Sequence, residues 1–463
     1  MCLLPGRPRR CESPSARLAA PSHHGDSPPP TGSWPWPQRL LWLLLCGLAV
    51  VWLGPKFVRD IRPSHAEILD FFQEWASARN RTEGLPIYTP QALTMRRYLE
   101  YQVEPDGFQI VRNAHPPTSV LLALPLARLD YSDAFLVWSL LSLTALAVSL
   151  WLVVRQLRIP FRVWSLLPTV ALLLVCNPFR QQMIQGQLNL FLLLLIVGIW
   201  VADRTGRPLW AGTLLGAVTA IKLFPGLLFV YFLFRRQWAV LAAGIVSVVL
   251  LTLLTAAVFG PSVYDSYVRE AMPEVAEYYD KWPNISLTGF WLKLFDGRTG
   301  RVTRVLPLWY NPLLARTLIV VSGAVVLFYL ARAIRRAQTR LDCDQAFGLT
   351  LIAMLLLSPI TWDHYAVLLL LPLALLWLRL PPRSERRVFF WVCTVALWLT
   401  PMVYWAPLTG ATIKNWMTKV AEPWQTLTAL SPPTYALVGL FALGLSLTAK
   451  RTRINNFSPP LAA

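Results

Sequence analysis

Apolar residues along this chain fall into long runs separated by short polar breaks, the pattern of helices that cross a membrane. A span needs about 20 predominantly apolar residues, and the candidates are 39–55, 133–154, 163–178, 188–203, 238–259, 313–331, 346–358, 364–380, 388–404 and 434–449. Several are short, so tilt or local bilayer thinning is expected. The run from Pro117 to Leu129 is only about 18 Å long as a helix and reads as an interfacial or re-entrant element. Residues 209–234 carry Lys222 and Pro225 mid-run and basic residues beyond both ends, so they read as two short legs meeting at Lys222-Leu223-Phe224-Pro225. The count becomes about 12 spans in an all-α polytopic membrane protein.

Charge fixes the direction of those spans. Arg155/Arg158/Arg162, Arg204/Arg207, Arg235/Arg236, Arg332 to Arg340, Arg383/Arg386/Arg387 and Lys450 to Arg453 lie at one set of ends. Lys and Arg are retained in the cytoplasm, so these ends and both termini are assigned inside. Residues 1–38, rich in Pro, Ser and Arg, read as a disordered cytoplasmic tail, 39–449 as the transmembrane domain and 450–463 as a second cytoplasmic tail. Outer loops cover about 56–132, 260–312 and 405–432, and the first two hold nine and six of the 24 acidic residues. Polar, proton-competent clusters therefore face outward.

Composition agrees. With 55% hydrophobic and 14% charged residues, the chain has too little polar surface for a soluble globule of 463 residues. The net charge of +19 sits in short cytoplasmic loops without a basic groove, which favours membrane lipid over nucleic acid as partner. The six cysteines show neither an external disulfide pair nor ligand spacing.

In the first outer loop, Ser64-His65-Ala66-Glu67 has the form of a capping box before a helical pattern that runs to about Arg79. Ile68, Leu69, Phe71, Phe72, Trp75 and Ala76 make a broad apolar face suited to the membrane interface. Asp70 projects from the other side with Gln73, Glu74 and Ser77, by periodicity alone one solvated carboxylate among several.

A wider pattern changes that balance. Asp70-Phe71 with Trp75 and Ile87-Tyr88, then His115-Pro116-Pro117, Asn177-Pro178, Gly186-Gln187-Leu188-Asn189 and Ala220 to Pro225 resemble glycosyltransferase family 87. So do Asn284 to Gly289 and Leu357 to His364; the likeness spans about residues 68–380. It implies the C-type glycosyltransferase architecture, with amphipathic interfacial helices in the first outer loop. It also implies hexosyl transfer, mannosyl first, from a polyprenyl-phosphate sugar to a glycolipid or glycan acceptor on the outer face of the cell membrane.

On that resemblance Asp70 corresponds to the essential carboxylate, taking the acceptor hydroxyl's proton in a direct displacement. Lys222 either snorkels from a short leg or grips the donor phosphate. Arg180 also reads as a phosphate contact or a structural residue, and His364 as a phosphate contact or a polar anchor. Gln185, Gln187 and Asn189 bond to sugar or cap the next helix, and Asn177, Asn284 and Trp362 complete the expected substrate contacts. Asn80-Arg81-Thr82 and Asn284-Ile285-Ser286 match the N-glycosylation pattern but are discounted. No metal cluster, Gly-rich phosphate loop or nucleotide-binding pattern is visible, so no metal or cofactor is expected. The rival class is a transporter or flippase of a lipid-linked saccharide, which should show repeat symmetry or polar paths on both faces.

Overall fold

The structure, a computed structural model, describes residues 35–62, 70–100, 112–160, 163–297, 305–398 and 420–449. The Ser64–Glu67 capping box, most of both tails and most of the 405–432 loop lie outside them. Among the described residues the chain is helical, apart from one isolated bridge pairing Val305 with Ala421.

The first half comprises α1 (Trp36–Asp60), α2 (Asp70–Thr82), α3 (Gln91–Leu99), α4 (Pro117–Ala123), α5 (Tyr131–Leu157) and α6 (Leu166–Val175). It continues with α7 (Asn177–Gln185), α8 (Asn189–Arg204), α9 (Pro208–Ile221), α10 (Leu227–Phe234) and α11 (Trp238–Phe259). The second half contributes α12 (Leu287–Phe295), α13 (Pro312–Arg336), α14 (Arg340–Leu357), α15 (Leu370–Arg379), α16 (Glu385–Trp398) and α17 (Pro432–Ala449). Among the described residues, five stretches are long and apolar enough to cross a membrane: α1, α5, α11, α13 and Pro423–Thr448, which contains α17. The α7–α8 pair, bent by 116°, makes a sixth if counted as one broken span.

The two-leg reading of 209–234 matches the geometry. Cβ atoms placed on Gly212 and Gly216 would fall 2.4 Å from the carbonyl oxygens of Val240 and Gly244 respectively, so α9 and α11 run parallel at backbone contact. Two consecutive helices can be parallel only if the chain returns between them, and α10 is that return. Arg235, just after α10, reaches Asp203 of α8 at 2.7 Å, which puts the hairpin's exit beside its entrance. The hairpin tip is where helix geometry fails: Lys222 is extended and Pro225 follows.

The basic clusters converge at one end of the bundle. Arg204 pairs with Asp344 and donates to the Gln156 carbonyl, Arg340 donates to the Arg204 carbonyl, and Arg379 pairs with Asp342. Arg335 of α13 lies over the Phe234 ring at the end of α10. The acidic partners Asp203, Asp342 and Asp344 were not weighed in the sequence, yet they join α8, α10, α14 and α15 there.

Two expectations about the first loop need correction. The apolar face of α2 does not lie in the membrane interface: Phe71, Phe72 and Trp75 are buried inside the protein against Tyr131, Phe135 and Trp138 of α5. Its polar face is not solvated either, because Glu74, Ser77 and Asn80 are buried as well. On both faces of α2 neighbouring chain takes up surface that the local pattern left open to lipid or water. In the run from Pro117 to Leu129, α4 and the turn after it bury Val120 and Ala123 while Leu122 and Leu129 stay exposed.

Candidate active site

Three segments far apart in sequence meet at the end of the bundle opposite the basic clusters. Asp70 opens α2, Gln187 links α7 to α8, and Lys222 sits at the tip of the α9–α10 hairpin. Gln187 Nε2 donates to Asp70 Oδ2, and Lys222 Nζ donates to Gln187 Oε1 at 3.4 Å. A carboxylate only accepts and an ammonium only donates, so the amide's orientation follows from its partners.

Local chain geometry holds each group. Gly186 ends α7 in the left-handed conformation at φ 62°, with the paired Gly186 and Gln187 N–H bonds of a Schellman cap. A Cβ there would lie 2.7 Å from Phe71 Cβ and 2.8 Å from Phe135 Cε2, so glycine is required by space as well as by φ. Trp138 Nε1 donates to the Gly186 carbonyl at 2.7 Å, and Gln182 Nε2 donates to the Gln187 carbonyl. Asn189 donates to Gln182 Oε1 at 2.9 Å and braces the α7–α8 turn, and its buried Oδ1 has no hydrogen-bond partner.

Lys222 is only 6% exposed, and its ammonium lies 4.3 Å from the centroid of the Tyr365 ring, which stacks on Phe224. Ring faces attract a cation, and this contact offsets part of the cost of burying Lys222. Asp70 Oδ1 accepts from Gln73 Nε2 at 3.3 Å, and Gln73 Oε1 accepts from the Ala114 N–H at 3.0 Å. The Tyr278 ring lies edge-on to Trp362. Burial pushes the Tyr278 phenol above its ordinary range, and the Asp70 charge adds to the shift.

Other expected residues divide between the site and its scaffold. Asn177 Nδ2 reaches Asp363 Oδ2 at 3.4 Å, and Asp363 Oδ1 accepts from the His364 N–H at 2.7 Å. The His364 ring is buried, and its Nε2 has no hydrogen-bond partner. Arg180 lies on α7 with its guanidinium 3.7 Å from Asp60 at the end of α1. Gln185 is half-buried and outside the Asp70–Gln187–Lys222 chain.

Asn284 is fully buried and donates at 2.8 Å to the carbonyls of both Tyr279 and Pro359. Its Oδ1 accepts from the N–H groups of Ser286 and Thr361 at 3.1 and 3.0 Å. Four internal bonds leave nothing for a sugar, so Asn284 clamps the loop before α12 to the loop before Trp362. Asn80 is likewise buried, which closes both glycosylation patterns.

Glu74, one turn after Asp70, was read as solvated. It instead faces His115 Nδ1 at 2.5 Å and accepts from Ser119 Oγ at 2.8 Å. Its spacing from Asp70 was visible in the sequence; its partner, 41 residues away, was not. Gln182 and Tyr278 were missed for the same reason. Among the described residues no group of three His, Cys, Asp or Glu side chains is placed to hold a metal ion.

A half-buried carboxylate linked to a buried ammonium, with a buried imidazole whose Nε2 has no partner, suits proton removal from a hydroxyl next to a departing anion. Comparisons with known proteins give the family. The model of glycosyltransferase family 87 matches residues 113–359, more than half of the chain. The polyprenol-phosphate-mannose-dependent alpha-(1-2)-phosphatidylinositol mannoside mannosyltransferase of Mycobacterium tuberculosis (strain ATCC 25618 / H37Rv) is 25% identical over 439 residues, 90% of this chain and 93% of the relative. A polyprenol-phosphate-mannose-dependent alpha-(1-2)-phosphatidylinositol pentamannoside mannosyltransferase of Mycolicibacterium smegmatis (strain ATCC 700084 / mc(2)155) is 27% identical over 343 residues, 70% of each chain.

Proposed function

Given that this chain belongs to glycosyltransferase family 87, we propose that it moves a mannosyl residue from polyprenyl-phosphate-mannose to a hydroxyl of a glycolipid acceptor. The phosphatidylinositol mannosides named for its relatives are the first acceptors to try. The observation that carries the reading is the hydrogen-bonded Asp70–Gln187–Lys222 chain.

In this reaction the acceptor oxygen attacks the anomeric carbon as the bond from that carbon to the phosphate oxygen breaks. Asp70 takes the hydroxyl proton, and polyprenyl phosphate leaves with the bonding pair. One displacement inverts the anomeric centre, so an α product requires a β-configured donor. Lys222 meets the phosphate: at 4 Å and an effective dielectric near 20, two unit charges attract by about 4 kcal/mol. That exceeds the roughly 2.5–3.5 kcal/mol insertion cost of a charge at membrane depth. His364 Nε2 supplies a further contact to the phosphate, Trp362 stacks on sugar, and Arg180, Asn177 and Gln185 line the approach.

The same reading places Asp70 on the extracytoplasmic face of a multi-pass cell-membrane protein, with 12 spans of the C-type architecture and both termini inside. The collected basic ends support that orientation through the retention of Lys and Arg in the cytoplasm.

Purified protein supplied with polyprenyl-phosphate-mannose and a panel of phosphatidylinositol mannosides should yield a mannosylated product and free polyprenyl phosphate in equal amounts. Movement of a lipid-linked saccharide across vesicles, with no new glycosidic bond, contradicts this reading and favours the transporter class.

A further inference from the structure

We infer that Gln187 is a positioning residue and not a sugar ligand: its amide joins Lys222 to Asp70, coupling the lysine's positive charge to the carboxylate and fixing which oxygen takes the proton. This inference rests on Asp70 being the base.

The amide is committed at both ends. Its NH2 donates to Asp70 Oδ2 and its oxygen accepts from Lys222, and the residue is only 5% exposed. A sugar hydroxyl would have to displace one of these charged partners, and hydrogen bonds to charged groups are the stronger kind. Lys222 withdraws charge from the amide oxygen, which strengthens the N–H bond to Asp70; linked hydrogen bonds reinforce one another in this way. The backbone beneath is equally fixed, by the left-handed Gly186 and by Gln182 on the Gln187 carbonyl.

The consequence is an asymmetric carboxylate. Oδ2 is occupied by Gln187, whereas Oδ1 takes the longer 3.3 Å bond from Gln73 and is the oxygen left for the acceptor proton. Charged and titratable groups around Asp70 are Glu74 on its own helix, Lys222 at the hairpin tip, Tyr278 before α12 and Tyr365 after Trp362. From α5, Tyr131, Phe135 and Trp138 face α2 around Phe71. Of these groups, Lys222 is the cation that Gln187 links to the carboxylate.

The test is the pH profile of mannosyl transfer from polyprenyl-phosphate-mannose to a phosphatidylinositol mannoside by the full chain and by Gln187→Leu, Gln187→Glu and Asp70→Asn. For Gln187→Leu the acidic limb of kcat should move up by about one pH unit, and the plateau should fall about tenfold, the size of one lost charged hydrogen bond. KM for both substrates should stay within about threefold of wild type. Gln187→Glu keeps the shape but adds a negative charge, so its limb should move further up, by roughly two units. An unmoved limb with raised acceptor KM makes Gln187 a sugar ligand and overturns the inference. Equal loss at every pH with a lowered melting temperature in both variants assigns it a purely structural role and also overturns it. If Asp70→Asn remains active, the failure lies with the base itself; if that variant is inactive and the Gln187 limbs stay fixed, only the bridge fails.

Discussion

Glu74 Oε1 lies 2.5 Å from His115 Nδ1, and both side chains are buried. This contact ties the helix that carries Asp70 to the 112–119 segment, reinforced by Ser119 on the other carboxylate oxygen and by Asn113 on the Gln73 carbonyl. The 112–119 segment in turn orients Gln73, which touches Asp70.

Removing one member of a buried pair strands the other, at a cost of about 3–5 kcal/mol. Glu74→Ala and His115→Ala should each lose stability on that scale in denaturant unfolding of the detergent-solubilised protein. The double variant should lose much less than their sum. Additive losses would show that the pair is not coupled.

Gly186→Ala should be damaging for two separable reasons. Left-handed φ costs a non-glycine residue about 1–2 kcal/mol, and the new methyl collides with Phe71 and Phe135, where overpacking costs about 1–3 kcal/mol more. A total near 2–5 kcal/mol is expected, with loss of transfer because Gln187 is the next residue. Adding Phe135→Leu to make space should recover the Phe135 share of the overpacking and leave the Phe71 contact and the φ part.

Asn284→Leu should act on stability and not on substrate recognition. It strands the Ser286 and Thr361 N–H groups and the Tyr279 carbonyl and leaves the Pro359 carbonyl only its bond from Ser286 Oγ, and each buried unpaired group costs about 1–3 kcal/mol. Unfolding should shift by at least about 2 kcal/mol, while KM in the surviving folded fraction stays near wild type. A selective rise in KM would return Asn284 to the substrate site.

Lys293, on α12, gives a pH signature. Burial holds its pKa down at about 7, against the opposing pull of Asp280, from an ordinary value of 10.5. Between those values the unfolded chain holds a proton that the folded chain does not, so this residue makes stability rise with pH from about 7 to 10.5. The difference in unfolding free energy between wild type and Lys293→Met should follow that rise. A pH-independent difference would mean that Lys293 stays charged on the Trp282 and Asn284 carbonyls it binds.

Much of the architecture was legible because its causes are local. The hairpin at Lys222 followed from charges beyond both legs, and the structure folds it that way, Arg235 meeting Asp203. Asp70, Gln187 and Lys222 could each be singled out from sequence, but not their linkage, which depends on a left-handed Gly186 and on α2 seating against α5. Periodicity misread the polar face of α2 because the cover over Glu74 comes from His115 and Ser119, far along the chain. Asn284 looked like a sugar contact because polar residues in an outer loop resemble one another until their partners are known.

The central claim is that Asp70 removes the acceptor proton while Lys222 holds the phosphate. Its most direct test measures transfer from polyprenyl-phosphate-mannose by Asp70→Asn, alongside unfolding and donor binding of the same preparation. The account predicts that transfer falls by at least about 100-fold while folding and donor affinity persist. Transfer at the wild-type rate by the folded variant would contradict it.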